Sequence, residues 1–148
     1  MEQENTQQNI KEETHPSASR LSESIEKQAA ILEEGKISIF DLDKIEIRAG
    51  KILEASPIEG SSKLLKLSVD LGEKYPRQIL SGIAKYFENP EELVGVICGF
   101  VTNLEPRKMM KMDSNGMILA TSGENPDGTS FFSLLKFEAN TPPGSKVR

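Results

Sequence analysis

Apolar residues in this chain come in short runs separated by turn-forming residues, and that spacing decides most of what the chain can fold into. The longest run, Leu93 to Val101, begins just after Asn89-Pro90 and ends before Asn103 and Pro106. It falls well short of the roughly 18 apolar residues of a membrane-spanning helix. Its unbroken apolar character fits a central, buried strand. Elsewhere the period is two. Ile45, Ile47 and Ala49 alternate with Glu46 and Arg48, and Leu65, Leu67, Val69 and Leu71 alternate with Lys66, Ser68 and Asp70. After Gly50 the parity slips through Ile52 and Leu53, and a glycine at such a slip predicts a β-bulge that bends the strand. Further strand candidates are Gln78 to Ile83, Met117 to Thr121 and Phe131 to Phe137. Asn89-Pro90 predicts a short helix or irregular segment before Leu93. Five or six short strands with a bent first strand predict an all-β fold. Periodicity alone does not separate a barrel from a sandwich.

The first 36 residues read differently. They carry four Lys/Arg against eight Asp/Glu, whereas residues 37–148 carry fourteen against fifteen, so the net charge of −5 sits mostly in the N-terminal stretch. Met1 to Ser19 is almost devoid of apolar side chains and is expected to be disordered, because nothing in it offsets the entropy of ordering. Leu21, Ile25 and Leu32 share one helical face, which predicts a helix over 21–34 with Ser19 as cap and Gly35 as stop. The expected organisation is an acidic tail over 1–36, dispensable for folding, and one domain over 37–148. Phe40 and Leu42 are expected to plug one end of that domain. The polar, acidic start lacks the pattern of a secretory signal peptide.

Catalytic groups are sparse. The single histidine, His15, falls in the tail. The single cysteine, Cys98, sits in the apolar run, excludes an internal disulfide and fits a reducing compartment, the cytoplasm. No metal-ligand spacing or phosphate-binding glycine loop is present. The chain is therefore expected to be non-catalytic, with no cofactor and no metal.

The stretch most suggestive of binding is Asn103 to Leu119. It sets Arg107, Lys108 and Lys111 among methionines and closes on Ser114, Asn115 and Gly116. Asn103-Leu104-x-Pro106-x-Lys108-Met109, a serine at 114 and then Gly116-Met117-x-Leu119 resembles the signature of the tRNA-binding domain appended to bacterial methionyl-tRNA synthetases. Free-standing tRNA-binding proteins and EMAP II-like domains share that signature. Ile45 to Gly50 resembles the family's first strand, Glu59 to Gly72 its second, and Arg77-Gln78-Ile79-Leu80-Ser81-Gly82-Ile83 its third. Pro143-Gly144-Ser145-Lys146-Val147 resembles its close.

The resemblance implies an OB-fold, a five-stranded β-barrel with a C-terminal extension, and a homodimer. It implies tRNA as ligand, read by shape and backbone, with an aminoacyl-tRNA synthetase as a further partner and no membrane. OB-folds bind nucleic acid with a basic groove and stacking side chains. Carried over by position, the candidate RNA-binding residues are Lys63, Arg77, Asn103, Arg107, Lys108, Ser114 and Met117. Lys63, Arg107 and Lys108 are assigned to phosphate. Asn103 and Ser114 would shape the loop or donate to ribose, and Met117 would pack on a base unless it belongs to the core. Arg77 has an alternative partner in Asp70 or Glu73.

One departure from the family stands out: Met110, Lys111, Met112 and Asp113 replace a basic residue and a glycine before the serine. A second function class stays open, a protein-binding or chaperone-like module using the methionines as an adaptable apolar surface. A third is a dimerisation appendage of a synthetase.

Overall fold

The computed structural model describes residues 18–148. Of the stretch Met1 to Ser19 expected to be disordered, residues 1–17, and His15 with them, lie outside the described residues, whereas Ala18 and Ser19 already form the first turn of a helix, so Ser19 is not its cap. Two compact units divide at Leu42 and Asp43. The first holds helix α1 (Ala18–Glu33) and a single turn, α2 (Ile39–Leu42). Leu21 and Ile25 of the predicted apolar stripe are exposed, and the Leu32 side chain lies outside the described ones. Ser38 starts α2: its hydroxyl accepts from Asp41 N (3.2 Å) and donates to the Asp41 carboxylate (3.0 Å). Phe40 is 76% exposed and Leu42 46%.

The second unit, residues 43–148, is a nearly closed antiparallel barrel of five strands, the OB-like architecture that the sequence implies. In chain order the strands are β1 (Ile47–Pro57), β2 (Leu65–Asp70), β3 (Arg77–Ser81), β4 (Ile97–Val101), β5 (Arg107–Met109), β6 (Met112–Ser114), β7 (Met117–Ile118), β8 (Ala120–Glu124) and β9 (Ser130–Leu134). The barrel sheet runs β3-β2-β1-β4-β7, while β5-β6 and β8-β9 form separate hairpins. β1 is long enough to serve both halves of the barrel. Its first half pairs with β4, Ile47 to Lys51 against Val101 to Ile97, and the rest pairs with β2. The register slips between Ile52 and Glu54, so the extra residue is Leu53 and not Gly50.

Gly50 answers a different need. A Cβ there would lie 2.6 Å from the Phe100 ring and 2.7 Å from Val69. The largest fully buried side chain, Phe100, occupies that space at the barrel centre. Around it pack Ile52, Leu65, Leu67, Val69, Ile79, Leu93, Cys98 and Ile118. β4 is buried along its whole length, as its unbroken apolar run predicts. Its inner face meets the core, and Leu119, Leu135 and Phe137 cover the outside at Gly99.

The expected short segment after Asn89-Pro90 is a 3-10 turn, Pro90–Leu93, whose first amide, Glu91 N, is accepted by the Asn89 side chain. A similar turn spans Ala84–Tyr86. The C-terminal segment returns to the free side of β1: Ala49 N donates to Ser145 O (2.8 Å), Gly144 N to Ala49 O (2.7 Å) and Val147 N to Ile47 O (2.9 Å). An exposed strand edge is thereby covered.

Candidate nucleic-acid interface

The alternation that turns Leu65, Leu67 and Val69 inward on β2 turns Lys66 and Ser68 outward. Register then sets their neighbours. Ser56 lies opposite Lys66, Glu54 opposite Ser68, and Ser68 opposite Gln78. These residues line an open cleft of about 220 Å³ on the outer face of β1-β2-β3. A second cleft of about 280 Å³ adjoins it, lined by Pro57, Ile58 and Glu59 on one side and Met110 and Met112 on the other. Lys66 lines both clefts, so the two form one track. The loop of residues 58–64 and the β5-β6 hairpin flank it.

In the hairpin, Arg107 pairs with Ser114, Lys108 with Asp113 and Met109 with Met112. Successive side chains of a strand point to opposite faces. Arg107 therefore shares the Met112 and Ser114 face, toward the barrel and the track. Lys108 projects from the other face, directly across from Asp113. Met110 and Lys111 form the two-residue tip with φ of 51° and 64°. Such tips favour Asn-Gly because both central residues must adopt left-handed backbone. The methionine and lysine here hold that conformation at a cost of about 1–2 kcal/mol each.

Three of the seven sequence-derived candidates prove to be occupied within the fold. Ser114 is 3% exposed. Its hydroxyl accepts from Leu80 N (3.0 Å) and donates its single proton to Leu80 O or Gly116 O. With Asn115 N donating to Gln78 O, it bridges β3 to the end of β6 where no strand ladder runs. Of the two roles considered for it, shaping the loop fits and contact with ribose does not. Asn103 shapes the loop too: its side chain accepts from Glu46 N (2.8 Å) and donates to Lys44 O (2.7 Å). The Arg77 guanidinium is gripped by Glu73 through two bonds, 2.9 and 2.6 Å, and donates to Thr102 O (2.6 Å) and Asn115 O (3.2 Å). The Glu73 bond raises the Arg77 pKa, and the Arg77 bond holds the Glu73 carboxyl below its usual range.

The other four candidates are exposed. They are Lys63 beside the track, Arg107, Lys108, and Met117, whose 47% exposure removes it from the core. Sequence reasoning left Lys66, Ser68 and Gln78 out of the site. The signal was present, since the leucine alternation on β2 obliges the residues between to face out.

Three cations of this unit meet carboxylate partners. Arg48 and Lys146 meet Glu46, with Arg48 Nε 2.8 Å from Oε1 as an ion pair rather than an aligned hydrogen bond, and Lys146 Nζ 3.2 Å from Oε2. Arg77 meets Glu73. Among the described residues of this unit, ten cations have no ion-pair partner within 4.0 Å: Lys51, Lys63, Lys66, Lys74, Lys85, Arg107, Lys108, Lys111, Lys136 and Arg148. Lys63, Lys66, Arg107, Lys108 and Lys111 lie on the track or on the two segments that flank it.

Elsewhere, Tyr86 and Phe132 stack at 4.1 Å with Phe87 edge-on to Phe132, beside an open cleft of about 460 Å³. Burial pushes the Cys98 thiol up to about 12, so it stays protonated near neutral pH.

Comparison with known proteins adds the following. The family model of the tRNA binding domain matches residues 47–146. The chain is 46% identical over 112 residues to the methionine–tRNA ligase of Methanocella arvoryzae and 49% identical over 113 residues to that of Methanospirillum hungatei. Each match covers 76% of this chain, but only 15% and 16% of the respective ligase. Among solved structures, a MetRS related protein from Pyrococcus horikoshii is similar at 33% identity and TM-score 0.65, over 76% of this chain and 98% of that one. A CsaA chaperone protein from Picrophilus torridus is similar at 26% identity and TM-score 0.63, over 76% of this chain and all of that one.

Proposed function

The chain belongs to the tRNA binding domain family, and from that premise we propose that it binds tRNA along the track between the 58–64 loop and the β5-β6 hairpin. It would act in the cytoplasm as a non-catalytic module that supplies tRNA affinity to a methionyl-tRNA synthetase, the protein to which its relatives are matched over a small part of their length. The observation that carries this reading is a local cluster of cations. Arg48, Arg77 and Lys146 serve the fold, whereas Lys63, Lys66, Arg107, Lys108 and Lys111, five of the ten cations of residues 43–148 without a carboxylate within 4.0 Å, lie on the track or on the two segments that flank it. Such a cluster in a net acidic chain suits a polyanion. Lysines and one arginine spaced along a groove grip phosphates without reading sequence, and outward Ser68 suits a ribose hydroxyl, while the Gln78 side chain donates to Asp113 O (3.0 Å) and ties β3 to the hairpin.

The test is a salt titration of tRNA binding with the full chain. Five phosphate contacts predict a slope of log K against log salt of about −3.5 to −4.5. Replacing Arg107 and Lys108 together by alanine should flatten that slope by about 1.5, equally for different tRNAs, with an unchanged melting temperature. An unchanged slope and affinity would move the interface elsewhere.

A second reading is peptide binding in the Tyr86-Phe87-Phe132 cleft, favoured by that aromatic cluster and by the likeness to the CsaA chaperone protein of Picrophilus torridus. Peptide binding there would show almost no salt dependence, so the same titration separates the two.

A further inference from the structure

We infer that the 280 Å³ cleft between the 58–64 loop and the β5-β6 hairpin is a slot for one unpaired nucleobase, and that the Glu59 carboxylate selects bases bearing an amino group. The inference rests on the RNA-binding reading above and names what that site reads.

The slot is built for something flat and mostly apolar. Pro57 and Ile58 form one wall, and Met110 and Met112 the other. Thioether side chains adapt to a ring face without fixed hydrogen-bond demands. The volume admits a single ring system and excludes a duplex. The walls are held across the mouth. Gly60, at φ 83°, would carry a Cβ only 3.5 Å from Met110 Cε, so the loop and the hairpin tip are in contact there. The left-handed backbone at Met110 and Lys111 sets where Met110 reaches. Residues held in costly backbone conformations cluster at ligand clamps.

The polar groups in the lining have opposite sign and separate jobs. Lys66 sits where the slot opens onto the polar track of Ser56, Ser68 and Gln78, the place for a phosphate next to the inserted base. Glu59 is the slot's one acid. It is exposed, and among the described residues it has no hydrogen-bond or ion-pair partner. A carboxylate has no evident use on a polyanion-binding track unless it meets a donor. Ionised, it accepts and cannot donate. Cytosine presents an amino donor at the position where uracil presents a carbonyl acceptor, and adenine presents an amino donor as well. Unstacked bases in RNA are commonly read on those edges. Guanine's N2 amino group donates too, so Glu59 rewards cytosine, adenine or guanine and penalises uracil.

Cytidine and uridine homopolymers of equal short length, end-labelled with a fluorophore, test this by anisotropy with the full chain. The wild type should prefer the cytidine oligomer by about five- to tenfold, consistent with one charge-assisted hydrogen bond. Glu59→Gln keeps shape at an exposed turn position, but its amide both donates and accepts. It should bring the ratio to within about twofold and leave the tRNA salt slope unchanged. Met112→Ala should weaken both oligomers alike and keep the ratio. A Glu59→Gln ratio equal to wild type, or no wild-type preference, overturns the slot while tRNA binding with its salt slope stands. Binding of neither tRNA nor oligomer overturns the RNA-binding reading, and the slot with it.

Discussion

A single hydroxyl completes the barrel wall. Ser114 stands where β3 and the end of β6 approach without a ladder, and it accepts from the amide of Leu80 while sharing its proton between Leu80 O and Gly116 O. Ser114→Ala leaves the buried Leu80 amide without its acceptor and should cost about 1–3 kcal/mol of unfolding free energy. The salt slope of tRNA binding should stay unchanged, and urea denaturation beside a salt titration checks both halves. Glu46 makes a comparable closure just past the C-terminal end of β4. Its carboxylate accepts from the Thr102 hydroxyl at 2.7 Å and meets Arg48 and Lys146. The Thr102 bond, followed by Arg48, holds its pKa near 2 against an ordinary 4.5. The folded pKa lies below the unfolded one, so the stabilisation is complete above about pH 4.5 and is lost as pH falls toward 2. Glu46→Gln should therefore be less stable than wild type by about 1–2 kcal/mol at pH 7, a figure discounted for partial exposure. The gap should narrow below pH 4.5 and nearly vanish at pH 2. Denaturation curves at several pH values would expose a gap that does not move, which would assign the loss to packing instead.

Among the elements, the β5-β6 hairpin carries the most information. Its tip, Met110-Lys111, adopts the backbone that Asn-Gly adopts without strain. Replacing the pair by Asn-Gly should raise stability by about 1–2 kcal/mol and shift the melting temperature upward. Base discrimination should weaken, because Met110 no longer closes the slot. A lower melting temperature would show that the Met110 contacts outweigh the backbone cost. The same tip explains why this hairpin was not legible in the sequence. Turn reading depends on Gly, Asn, Asp and Pro, and none stands at 110 or 111, so residues 103 to 116 read as one long loop. Elements with regular alternation were legible. The inward leucines of β2 and the buried run of β4 appear where periodicity places them, because each rests on one physical rule. Gly50 shows the limit: a glycine in a strand marks either a bulge or a close approach, and only packing against Phe100 decides between them. The Arg77–Glu73 pair, four residues apart, was among the alternatives that the sequence offered, whereas the partners that tie Arg77, Asn103 and Ser114 to distant strands lie 25 to 59 residues away and were out of reach.

At the scale of the whole molecule, the β8-β9 hairpin is the part that the barrel leaves unfinished. All five residues of β8 are exposed, and in the paired segment Phe131 and Leu135 are 40% and 48% exposed. Only Leu134 and part of Phe132 join the core. A two-stranded hairpin held to the core on one face only is marginal on its own, yet this one spans Ala120 to Leu134 in full register. A second copy of the chain is the simplest cover, because a two-fold axis lets one patch bury itself against its twin. The expectation is a homodimer with Phe131 at its interface. Phe131→Asp would place a charge in that interface without touching the core, and should give a monomer by sedimentation equilibrium at micromolar concentration with little change in the barrel's circular dichroism. A wild-type monomer across the micromolar range would end the dimer expectation and leave the hairpin's exposed aromatic to a different partner. A Phe131→Asp dimer as tight as wild type would instead keep the dimer and move its interface away from β8-β9.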